Sequence, residues 1–352
     1  MKKMKLITGL IIMGLVINFS ALLSQEKVEK SSEETFSVQE GYLLDVASKF
    51  GDVDISNWDN DEVKIVVEIW VESKKKDKAE ELLEKLDVEL SQTGNTVSVK
   101  TVLPSKMNTG KDTKFEINII VQAPLYSNIN INAKYSNVFI EGSSGHTMID
   151  MAYSNFNIGS LTRGKETPLN EFNLAYSDGN LEQGNWLKMD LAYSKINIEE
   201  ATSVVLDSRY SGVVIEECNS VIVNSKYDKF QIEELNNFNG ILKYSSTKIS
   251  ELESKLEIES AYSSFSIGEM GADFELIKID NKYGGIKINL NQNSSFTINA
   301  TASSGSVSIP NIDITTEKKD GQDKFFEGTY GSNPQSKIDV DTRIGSVKFS
   351  FD

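Results

Sequence analysis

The sequence predicts an all-β fold: a parallel β-solenoid of about twelve short rungs, with a small α+β insertion capping its N-terminal end. Three observations predict it. The dipeptide Tyr-Ser, or a close variant, recurs at Tyr135, Tyr153, Tyr176, Tyr193, Tyr210, Tyr227, Tyr244, Tyr262 and Tyr283, at intervals of 18, 23, 17, 17, 17, 17, 18 and 21 residues. Apolar residues flank each tyrosine at the same offsets. Within each flank they alternate with the period of two that marks a strand.

Take each tyrosine as position zero. At −4 stand Ile131, Ile149, Phe172, Met189, Leu206, Val223, Ile258 and Ile279; at +5 stand Ile140, Ile158, Leu181, Ile198, Ile215, Ile232, Ile249, Ile267 and Ile288. Positions −6, +3 and +8 fill in the same way, as with Val204, Val213 and Cys218 around Tyr210. The parity changes between zero and +3, so the chain bends there, and Asn137, Asn155, Asp178, Gly212 and Gly285 at +2 supply turn chemistry. The same parity puts the tyrosines on the core side with −4 and −6, as a corner ladder whose hydroxyls reach water. One such unit cannot bury its own apolar face, but copies stacked about 4.8 Å apart can. Right-handed winding is expected from the crossover rule for parallel strands.

The remaining elements follow in chain order. Residues 1–25 read as an export leader: Lys2, Lys3 and Lys5, an apolar run from Leu6 to Leu23, and the small residues Ser20, Ala21 and Ser24 where a peptidase would cut. A retained membrane anchor is the alternative. Residues 40–58 hold a first rung with Phe50 at zero between Leu44, Val46, Val53 and Ile55. Residues 59–125 form the insert. It comprises a strand through Val63, Ile65, Val67 and Ile69, then a helix from about Ser73 to Leu86 with Ala79, Leu82, Leu83 and Leu86 on one face. A hairpin turning at Thr93-Gly94-Asn95 and a strand from Phe115 to Pro124 complete it. Such an insert is well placed to cover the backbone that an open solenoid end leaves unpaired. Residues 126–310 are the repeats, closing on a rung with Ser304 at zero. Residues 311–336 are a charged excursion, and 337–352 a final rung with Ile344 at zero. The stack would be a rod on the order of 55 Å long. An outer-membrane barrel needs about 9–11 residues of alternation per strand, longer than these apolar stretches.

With rungs and insert in place, the chain resembles the bacterial "putative adhesin" domain family. Lys49-Phe50-Gly51-Asp52-Val53-Asp54-Ile55 with Trp58-Asp59, then Val121-Gln122-Ala123-Pro124 and Thr342-Arg343-Ile344-Gly345-Ser346-Val347, carry the resemblance. It extends over roughly residues 40 to 352. It implies a repeat-rich β-solenoid and, through the family's name, surface adhesion. Where relatives carry glycine in the rung bend, this chain repeats Tyr-Ser.

Little in the composition favours catalysis. The chain has 352 residues, a formal net charge of −16, one cysteine and one histidine. That balance argues against nucleic-acid phosphate as a ligand, and single Cys and His residues cannot build a thiolate cage or a histidine-rich metal site. His146 lies in the turn Ser143-Ser144-Gly145-His146 and reads as a surface residue, while Cys218 falls in the +8 column of leucines and reads as a small core residue. Glu199-Glu200, Glu216-Glu217 and Glu233-Glu234 stack into an acidic ridge read as a solubility device, with calcium as a weaker alternative. Arg209 shares the −1 column with Lys134, Lys226, Lys243 and Lys282, a stripe of cations rather than a site with one unusual member. The serine after each tyrosine is expected to hydrogen-bond along the stack and shape the bend. No catalytic residue, cofactor or metal is expected. The nine tyrosines from Tyr135 to Tyr283 are the candidate ligand platform, since exposed aromatic ladders bind sugars.

The expected role is therefore that of an exported, non-enzymatic interaction protein at the cell envelope: periplasmic, on the outer surface, or secreted. Its partner would be a protein or glycan there, not nucleic acid, with membrane contact only through a retained leader. An envelope-stress or signalling accessory is the alternative, and a polysaccharide-processing β-solenoid enzyme a third.

Overall fold

The computed structural model describes residues 26–106 and 112–351; the leader lies outside them. Among the described residues 26 strands form one sheet, with one helix, Lys76–Lys85. The fold is the parallel solenoid that the repeat dictates. The strands Asp178–Ala192, Lys195–Arg209, Gly212–Lys226 and Lys229–Lys243 each run 15 residues from one corner to the next. They pair in parallel with equivalent residues opposed: Ile196, Val213 and Phe230 in one column, Ile198, Ile215 and Ile232 in another. Both columns are buried. Burying one such aliphatic side chain contributes about 1.5–3 kcal/mol, so each rung is held by its neighbours more than by itself.

Rungs of unequal volume interlock. The Phe156 ring fills the space beneath the +3 position of the next rung, which is Gly179, and a Cβ there would lie 2.3 Å from the ring.

The N-terminal cap turns a parallel ladder into an antiparallel one. Strands Thr96–Val102 and Thr113–Pro124 lie parallel on the two strands of the Phe50 rung, Leu43–Lys49 and Gly51–Trp58. Asp87–Thr93 and Glu62–Ser73 then pair antiparallel on those. The hairpin turns at Gly94 as expected, in a left-handed conformation with φ +58°. The helix is shorter than the sequence pattern, starting at Lys76; Ala79 and Leu86 are buried and Leu82 and Leu83 pack beside them. One strand has no apolar alternation to betray it. Glu26–Ser37, largely exposed and charged, pairs antiparallel with Glu62–Ser73 and ends the sheet.

At the other end, chain order and spatial order part. The rung last in sequence, Ser336–Arg343 and Ser346–Phe351, lies directly on the Tyr283 rung. The Ser304 rung, earlier in sequence, sits outside it. Between Leu290 and Phe296 the chain therefore climbs past an empty level that its own C-terminal segment later fills. The charged excursion is a hairpin, Asp313–Asp320 with Asp323–Tyr330, paired antiparallel on Phe296–Ser303 at the outer end.

Candidate functional site

Among the described residues twelve rungs make one common corner, and at each the zero residue is left-handed. The nine tyrosines have φ between 52° and 62°; Phe50, Ser304 and Ile344 have φ of 58°, 50° and 49°. For a residue with a Cβ this conformation costs roughly 1–2 kcal/mol. Hydrogen bonds along the stack offset it. Each corner N–H except that of Ser304, in the outermost rung, donates to the −1 carbonyl of the next rung, as Tyr176 to Ala192 at 2.9 Å and Tyr193 to Arg209 at 3.1 Å.

The serine that follows explains the dipeptide. Ser136, Ser154, Ser177 and Ser194 are buried, and the N–H of each donates to the next side chain down the column: Ser154 to Ser177 Oγ at 3.2 Å, Ser177 to Ser194 Oγ at 3.1 Å. The hydroxyl donates to its own rung's −1 carbonyl, Ser177 Oγ to Ala175 at 3.0 Å. At one rung Asp228 replaces serine. Its buried carboxylate accepts from Ser208 Oγ, Ser225 Oγ, the Ser211 N–H and the Lys226 N–H, at 2.7–2.9 Å. The sequence held a signal for this: serines at −2, Ser208 and Ser225, where Met151, Leu174 and Leu191 stand in other rungs.

The left-handed residue also corrects the parity argument. Positions −2 and +1 both point inward, and −1 and zero both point outward. The tyrosines are therefore not core residues but 41–51% exposed. Their rings stack face to face along the rod, with centroids 4.7–5.3 Å apart and planes within 16°. Phe50 extends the column at 4.9 Å from Tyr135. Ring faces are consequently occupied by neighbouring rings. What the column offers a ligand is a row of ring edges and hydroxyls at the rung spacing, flanked by the −1 cations. Lys134 Nζ lies 5.4 Å and 5.7 Å from the Tyr135 and Tyr153 centroids, and Lys226 Nζ 5.5 Å from Tyr227.

The other flagged residues are structural. His146 Nε2 lies 2.9 Å from the Leu169 carbonyl of the next rung. Burial pushes the Cys218 thiol up to about 11, which keeps it protonated and inert at neutral pH. The glutamate ridge is exposed, and among the described residues no group of three or more His, Cys, Asp or Glu is arranged to hold a metal ion.

Over residues 43–350 the chain matches the family model described as Toastrack DUF4097. It is similar to a solved "putative adhesin" from Bacteroides fragilis NCTC 9343 at 13% identity and a TM-score of 0.31, covering 91% of this chain and 97% of that one. A "putative adhesin" from Parabacteroides merdae ATCC 43184 gives 8% identity and a TM-score of 0.33, covering 91% and 96%. A "putative lipid binding protein" from Parabacteroides distasonis ATCC 8503 gives 12% and 0.27, covering 91% and 96%. No curated protein matches the chain.

Proposed function

The chain belongs to the Toastrack DUF4097 family, and from that premise we propose that it is an exported, non-enzymatic binding protein of the cell envelope, adhesin-like in action. The observation that carries this reading is the tyrosine corner. Nine exposed side chains of one type repeat at one spacing, each presenting the same hydroxyl, ring edge and neighbouring backbone. Such a row suits a target that is itself repetitive or extended. Each contact is weak, but the second and later ones are intramolecular, so avidity grows with the number engaged. The tyrosine hydroxyls are spread evenly along the rungs rather than gathered at one point, which favours binding over catalysis. The leader-like N-terminus supports placement outside the cytoplasm.

The test is a panel of immobilised glycans and extracellular-matrix proteins probed with the purified protein, with and without calcium. Saturable binding that weakens progressively as Tyr227, Tyr244, Tyr262 and Tyr283 are replaced one after another by Ser is the expected result. Release of shortened glycan products would overturn the non-enzymatic role. A blank panel would shift support to the accessory role.

A further inference from the structure

Charge on this acidic chain is segregated, and the segregation names a ligand class. From the Tyr193 rung to the Ser304 rung, the −1, +2 and +4 columns hold Arg209, Lys226, Lys243, Lys282 and Arg343 on one side of the corner and Lys195, Lys229, Lys248, Lys287 and Lys348 on the other. All ten are exposed, and no Asp or Glu occupies these columns over that stretch. Of these ten, only Arg209 and Lys282 make ion pairs with described residues, at 3.8 Å to Asp190 and 3.7 Å to Asp280. Acidic side chains lie in other columns of these rungs: Glu257, Glu259, Asp280, Asp339 and Asp341, with Lys278 and Lys337 among them, on the strands before the corner, and Glu233 and Glu234 beyond the +4 column on the strand after it.

The cationic face is also concave. A groove of about 860 Å³ crosses the strands beside the corner. Lys229, Lys248, Lys287 and Lys348 rim it, and Ser246, Ser264, Ser266, Ser306 and Ser346 are among its floor residues. It spans six rungs, about 24 Å from first to last. We infer that this groove binds a linear acidic polysaccharide, an inference that rests on the binding role proposed above and names its ligand. Lysine ammoniums on four of the six rungs meet carboxylates or sulfates along the polymer, and serine hydroxyls donate to and accept from sugar hydroxyls. The lining presents no exposed aromatic or aliphatic anchor of the kind that carries a protein–protein interface. That argues against a second copy of the chain, despite its acidic columns.

The experiment compares binding of the purified protein to polygalacturonate, dextran sulfate, neutral dextran and single-stranded DNA. The expected result is binding to at least one acidic glycan and none to neutral dextran, with affinity falling roughly tenfold or more between about 50 and 200 mM salt. Replacing Lys229, Lys248, Lys287 and Lys348 together by Glu should abolish binding, and by Gln should weaken it. Replacing Lys74, Lys76, Lys78 and Lys85 by Glu in the cap should change little. Unaltered circular dichroism and melting temperature establish that the variants fold. Equal binding to neutral dextran, tighter binding to DNA, indifference to the groove substitutions, or a groove-dependent self-association without glycan binding would each overturn the inference. If acidic glycans fail while another ligand on the wider panel binds, this assignment falls and the binding role stands. If the whole panel is blank, both fall.

Discussion

The central rungs and the C-terminal end obey the same residue pattern yet are assembled differently. From Asp178 to Ala261 each strand of 15 or 16 residues leaves one corner and arrives at the next, one level further along. After Leu290 the chain instead steps past a level, builds the Ser304 rung, folds the outer hairpin, and returns to fill the gap with Ser336–Phe351. Local pattern thus decides which column a residue joins, while connection length decides which level it joins. In the centre each level is covered by the residues that follow it in sequence. At the C-terminal end the Tyr283 rung is covered only by the last residues of the chain.

The largest effect should come from breaking that closure. Deleting residues 336–352 removes the buried Ile338, Val340, Val347 and Phe349. At about 1.5–3 kcal/mol each, this is a loss on the order of 8 kcal/mol. It also bares parallel strand edges on both sides of the gap. The truncated protein should aggregate or lose its cooperative urea transition. Excising residues 195–211 from the centre joins Ser194 to Gly212 in unbroken register and should leave a soluble, cooperatively folding chain one rung shorter. Gel filtration and urea titration of both variants check the comparison; a stable truncation alongside an aggregated excision would reverse it.

A smaller break tests the buried hydrogen bonds of the centre. Asp228→Ala leaves two hydroxyls and two N–H groups without their acceptor, and should cost about 3 kcal/mol. Asp228→Ser restores the residue of neighbouring rungs and should cost less. Urea midpoints decide it: equal losses would mean that the carboxylate is not what satisfies those donors.

These cases show what was legible in the sequence and what was not. The rungs, their columns, the cap and the Thr93-Gly94-Asn95 hairpin all follow from alternation and turn chemistry, because each is a local property. The level of Ser336–Phe351 does not, since Ile338 and Val340 match the columns equally well at any height. Strand Glu26–Ser37 has no apolar alternation to read: only Val28 and Phe36 pack against the core, and backbone pairing with Glu62–Ser73 runs along its whole length. The facing of the tyrosines was hidden by dihedral angle rather than by pattern. Counting in twos assumes extended backbone throughout, and one left-handed residue adds an outward position that the count does not contain.

That dihedral supplies the finest test of centre against end. Tyr193 stacks on two rings, Tyr176 and Tyr210, whereas Tyr283 has one ring partner, Tyr262, because Ile344 occupies the next corner. Tyr193→Ala should lose two stacking contacts of about 0.5–1.5 kcal/mol each while keeping the left-handed cost, and Tyr283→Ala should lose roughly half as much. Glycine adopts φ near +54° freely, so Tyr193→Gly should be more stable than Tyr193→Ala by about 1 kcal/mol. At Asn197, an outward position on the regular strand of the same rung, the order should invert, with Gly below Ala by about 0.5–1 kcal/mol. Urea midpoints of these variants separate the two contributions. If alanine proved the better replacement at the corner as it is on the strand, the turn would not depend on a left-handed residue, and the outward facing of the tyrosine column would need another cause.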